Sequence, residues 1–166
     1  MFNLRTGIAA LGAVFMLYGG SALSADPETQ KQLDDLKAAI PKFAIPMREV
    51  GDRFQDMNSA VKGGNWALAA YMSKYMNNAM NPARLTKPDE YKVWQGFYEN
   101  SFAATNKAIQ AKDAKAFDAA YTAVINDCNS CHAAMGYAFI KVVKQSAASD
   151  IGIDYAVKSE PGDVPK

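Results

Sequence analysis

The chain has 166 residues, with 18 Lys and Arg against 17 Asp and Glu, two cysteines and one histidine. That length suits one domain with its own core. A charge balance so near neutral carries neither a nucleic-acid footprint nor a polybasic membrane patch.

The first 24 residues, MFNLRTGIAALGAVFMLYGGSALS, contain Arg5, then an apolar run from Gly7 to Tyr18, then small residues. These are the three parts of a secretory signal. Ala22 and Ser24 fall at −3 and −1 of a cut before Ala25. The apolar core is shorter than the ~20 residues that span a bilayer, so cleavage is expected rather than a retained anchor. Removing Arg5 with the leader leaves basic and acidic residues level. No later apolar run is long enough to cross a membrane.

The pattern beyond residue 24 is helical throughout. Asp26, Pro27 and Glu28 form a cap, a first position and an acidic first turn, opening a helix to about Ile40. Pro41 and Pro46 are expected to interrupt it by a break or a kink. Phe43, Met47, Val50, Phe54, Met57 and Val61 then recur at steps of four and three, the buried face of a second helix, which Gly63 and Gly64 end.

Asn65 caps a segment from Trp66 to about Met80, stopped by Asn81 and Pro82. Its Met72, Met76 and Met80, four residues apart, are expected to be core filler. A loop follows, and Asp89 and Glu90 mark the next helix start. Tyr91, Trp94, Tyr98, Ser101, Phe102, Thr105 and Ile109 mark its face, and the aromatics, with Phe97, are expected in the core. Asp113 caps the last helix, whose stripe is Phe117, Tyr121, Val124, Cys128, His132, Met135, Phe139 and Val142. The tail, residues 146–166, has Pro161, Gly162 and Pro165 and reads as extended and mobile at its end.

Both cysteines and the histidine fall together in INDCNSCHAAMG, as Cys128, Cys131 and His132. This C-x-x-C-H spacing is that of covalent haem attachment. Positions i, i+3 and i+4 share a helix face, so two thiols can add to the two vinyl groups of one haem while the imidazole reaches the iron. Asn129 and Ser130 read as spacers. Three other chemistries compete: a structural disulfide in an exported protein, a thioredoxin-like pair, which wants a strand–helix context, and a zinc site, which lacks further Cys or His ligands.

The signal, the all-helical domain and one C-x-x-C-H on the final helix resemble the class II c-type cytochromes, the cytochrome c′ and c-556 group. The resemblance spans most of residues 43–145. It implies an antiparallel four-helix bundle over residues 25–145, one covalent haem c on Cys128 and Cys131, His132 as proximal iron ligand, and a periplasmic location. The family's first bundle helix ends in a stretch like MNSAVKGG, here Met57 to Gly64, and counting back from it places the distal residue on Met47. Low-spin members of the c-556 type carry methionine there as sixth ligand, whereas five-coordinate cytochromes c′ carry an apolar residue. Pro46 beside Met47, and Gly136 where cytochromes c′ usually have a basic residue, depart from the pattern.

With a single histidine, bis-histidine ligation is excluded. The expected role is a single-electron carrier with Met47 as distal ligand. The alternative is a five-coordinate protein binding NO or CO. An enzyme is not expected, since no second histidine stands over the iron. Redox proteins of the periplasm are the implied partners, with no nucleic acid and no stable membrane insertion after cleavage, and a homodimer is left open.

Overall fold

The computed structural model of the protein describes residues 25–150 and 152–165. The secretory signal read in residues 1–24, with its cut, lies outside the described residues. Within them the chain is mostly helical and forms no strand, in keeping with the all-α class. No described helix is long and apolar enough to cross a membrane.

Helix α1 (Pro27–Ala39) starts where its cap predicts: the Asp26 carboxylate accepts from the Thr29 amide at 3.0 Å. It buries no residue. Side-chain pairs four residues apart, such as Lys31 with Asp35 and Gln32 with Glu28, support it instead.

Helix α2 (Ala44–Gly63) corrects the expectation for one of the two prolines. The break falls at residues 40–43, whereas Pro46 is a buried member of the first turn of α2. An amide there has no partner within the helix, so losing it costs nothing. Val50, Phe54, Met57 and Val61 are buried as the stripe predicts, and Phe43 and Met47 pack half-buried against the same core. Gly64, at φ 82°, closes the helix in a conformation that a β-carbon would strain.

Helix α3 (Trp66–Ala79) is capped by Asn65, which accepts from the Leu68 amide at 3.1 Å. Met72, Met76 and Met80 are all within the core. A one-turn helix, α4 (Ala83–Thr86), occupies the expected loop.

The single helix expected through Tyr91 and Ile109 is divided into α5 (Pro88–Ser101) and α6 (Ala103–Ala111), with Phe102 between them at φ −90° and ψ −4°. Its ring is edge-on to Phe54 at 5.8 Å and stacked with Tyr98 at 5.1 Å. Burying such a ring stabilises by about 1.5–3 kcal/mol, which offsets one imperfect turn.

Helix α7 (Ala114–Ala134) is capped by Asp113, which accepts from the amides of Lys115 and Ala116. Phe117, Tyr121 and Val124 enter the core, where Tyr121 stacks on Phe54 at 4.0 Å. Packed pairs among the described helices include α2 with α3, α3 with α6, α6 with α7 and α7 with α2, and α5 packs on both α6 and α7.

The last stripe does not continue as a helix past Ala134. Gly136, at φ 84°, turns the chain: the Tyr137 amide donates to the His132 carbonyl at 2.6 Å and the Gly136 amide to that of Ala133 at 3.2 Å. This is a Schellman closure. Met135 and Phe139 are consequently exposed, and only Val142 of the predicted stripe returns to the core.

The tail is tied down rather than loose. It runs back over α2 as a strap fixed by side chains the sequence reading did not single out. Asn58 and Gln55 donate to the Gln145 and Ala147 carbonyls. Buried Asp56 accepts from the Ser149 and Asp150 amides and from Tyr155 Oη at 2.8, 3.1 and 2.8 Å. Further along, Lys158 donates to the Gly63 carbonyl, Ser159 to Asn65, and Lys112 pairs with Glu160.

Candidate functional site

The last two turns of α7 carry Cys128, Cys131 and His132, all half-buried. Asp113 starts the helix and Gly136 stops it, so the motif occupies regular α-helix up to its end. Positions i, i+3 and i+4 then lie on one face. Cys128 is the most deeply set of the three and packs against the core cluster.

Both cysteines are free thiols. Burial, with Cys131 and the Asp127 carboxylate nearby, pushes the Cys128 thiol up to about 12, and burial also raises that of Cys131. The described residues form no strand, so the pair lacks the strand–helix context of a thioredoxin-like motif. Among the described residues no three of His, Cys, Asp and Glu form a metal-holding cluster. Two thiols and an imidazole on one helix face are a donor set that fits haem attachment.

The imidazole is fixed from outside the helix. His132 Nδ1 lies 3.0 Å from the Ile140 carbonyl oxygen. A carbonyl can only accept, so Nδ1 carries the proton and Nε2 keeps the lone pair that a metal requires. The carbonyl is itself held on both sides. The Ile140 amide donates to the Tyr137 carbonyl at 2.8 Å, and Asn129 both accepts from the Val142 amide at 2.8 Å and donates to the Val142 carbonyl at 2.9 Å.

Met47 stands at the same end of the molecule as the motif. Gly64 and Lys112 line one surface depression, so the end of α2 and the start of α7 are neighbours and the two helices run antiparallel. At 1.5 Å per residue, Met47 is about 26 Å along α2 from that end and His132 about 28 Å along α7. Pro46 leaves Met47 in helical register, with the Met47 amide donating to the Phe43 carbonyl at 3.0 Å. Its side chain packs half-buried on the core.

Around the motif several apolar side chains are open to solvent: Met135, Tyr137, Phe139 and Ile140, with Phe139 80% exposed. The sequence reading missed Asn129, Ile140 and Gly136 as parts of this site. Asn129 and His132 are three residues apart on a helix face, which was the available signal for the first. A backbone carbonyl supplied by Ile140 has none. Comparison with known protein families, with curated proteins and with solved structures finds no match.

Proposed function

We propose that the protein is an exported monohaem c-type cytochrome resembling the class II group, a single-electron carrier of the periplasm. The observation that carries this reading is the end of α7: two free thiols and an imidazole on one face, with the Ile140 carbonyl holding the ring in the tautomer that leaves Nε2 for iron. The closed cycle of packed pairs among α2, α3, α6 and α7, with α5 leading into α6, supports the four-helix bundle that the resemblance implies.

In this reading Cys128 and Cys131 would hold the haem as thioethers to its two vinyl groups. His132 Nε2 would supply the iron's ligand from the same helix. Bound there, the haem supplies an iron that gains and loses one electron. Met47 would offer a second ligand, a thioether, which raises the potential by favouring the ferrous state. His132 and Met47 both sit on helices, so redox change would ask for little rearrangement of the chain. Met135, Tyr137, Phe139 and Ile140 supply apolar surface beside the attachment point, where redox partner proteins of the periplasm could approach.

The test is covalent attachment in a host that exports the chain and attaches haem. The wild-type protein is expected to keep its haem through acid–acetone extraction, and the Cys128→Ser, Cys131→Ser double variant to release it. Haem that leaves the wild type, or that stays in the double variant, refutes the reading.

A further inference from the structure

Asn129, one of the two residues between the cysteines, does more than space them. Its side-chain amide closes both polar groups of Val142, accepting from the amide at 2.8 Å and donating to the carbonyl at 2.9 Å. The two residues are 13 positions apart in the chain, with the Gly136 turn between them. An asparagine is the shortest side chain that offers an acceptor and a donor in one plane, so the arrangement works as a two-point clamp. Ser130, the other intervening residue, only returns a hydrogen bond to the Asn126 carbonyl within its own helix.

The clamp sits two residues from Ile140, whose carbonyl meets His132 Nδ1 at 3.0 Å. On the other side, the Tyr137 and Ile140 amides close the turn onto the His132 and Tyr137 carbonyls. Past the clamp, Lys144 pairs with Asp118 on α7. Without Asn129, Ile140 keeps the turn on one side and on the other only the packing of the Val142 side chain and the Lys144–Asp118 pair beyond it, while Tyr137, Phe139 and Val143 are exposed.

We infer that Asn129 is a positioning residue for the His132 imidazole: it fixes the Ile140 carbonyl and so sets the orientation, tautomer and electron-donating strength of the ligand nitrogen. The inference rests on the reading of His132 as the iron ligand. Hydrogen-bond partners of ligand histidines raise ligand basicity, and their loss typically changes site properties tenfold or more. A stronger donor nitrogen favours the ferric state, so releasing it raises the potential.

The experiment compares holoprotein of the wild type with Asn129→Ala, Asn129→Asp and, as a control, Ser130→Ala. The expected result for Asn129→Ala is retained covalent haem and, read in a Met47→Ala background whose ferrous iron is five-coordinate, a lower iron–histidine stretching frequency in the resonance Raman spectrum. Its ferric–ferrous equilibrium should shift up to about tenfold, or about 59 mV for one electron. Asn129→Asp keeps the acceptor for the Val142 amide and should fall between, while Ser130→Ala matches the wild type. Exchange of the Val142 amide with solvent, which needs no haem, should speed up in Asn129→Ala.

If both Asn129 variants hold haem covalently with unchanged stretching frequency and potential, the positioning role is wrong while the cytochrome reading stands. Failure of both to accumulate haem would also overturn it, in favour of a folding role. A wild type without covalent haem fails at the earlier reading instead.

Discussion

The strap over α2 hangs on Asp56, so Asp56→Ala is the sharpest perturbation of the C-terminal region. The carboxylate is 4% exposed and accepts at 2.8 Å from the Ser149 amide, 3.1 Å from the Asp150 amide and 2.8 Å from Tyr155 Oη. Hydrogen bonds to a charged group contribute about 1.5–3 kcal/mol each. Three would suggest more than the change should cost, because Ser149 and Asp150 are exposed and water can replace the carboxylate. Tyr155 Oη also keeps its bond to the Asp150 carbonyl. We therefore expect a loss of about 3 kcal/mol, or roughly 10 °C in Tm for a domain of this size.

The assay is thermal unfolding alongside limited proteolysis, with Asp52→Ala as the comparison. Asp52 accepts from Ser149 Oγ at 2.8 Å and pairs with Arg48 at 3.7 Å on the surface, and its loss should cost about 1 kcal/mol. New cleavage between residues 146 and 160 should appear in Asp56→Ala alone. In a chain ending at Gln145 the same substitution should cost far less, since its partners have gone and the two changes share one interaction. Equal destabilisation by Asp56→Ala and Asp52→Ala, with the tail still resistant, would refute the anchoring argument.

Met47→Ala is expected to turn a low-spin ferric protein high-spin, open it to CO and lower its potential, as read by optical spectroscopy; a wild type already five-coordinate and avid for CO would assign it to the gas-binding alternative. Met57→Ala, at a fully buried position of the same stripe, should cost about 2–5 kcal/mol as a core truncation and leave the spectrum alone. Burial and the Asp56 carboxylate hold the Tyr155 hydroxyl well above its ordinary value of 10.0. A folded value above the unfolded one means stability fully present below pH ~10 and lost as pH rises beyond it. Tyr155→Phe should flatten that alkaline loss in unfolding curves, and an unchanged slope would count against the contact.

Local chemistry accounts for what the sequence alone determined. Asp26, Asn65 and Asp113 cap their helices, Gly64 closes another, and the apolar stripes of α2, α3 and α7 enter the core, because caps, left-handed glycines and helical periodicity act within a few residues. The grouping of Cys128, Cys131 and His132 was likewise legible, since one helical turn suffices to put them together. The tertiary structure alone decided what depends on partners distant along the chain. Phe102 interrupts its helix because Phe54 and Tyr98 surround its ring. The tail is held because Asp56, an ordinary surface-type residue in the sequence, is covered by Tyr155, 99 positions away. The His132 tautomer follows from the carbonyl of Ile140, a group every residue has and no side chain announces. It meets the ring only because Gly136 turns the chain and Asn129 catches it on the way back.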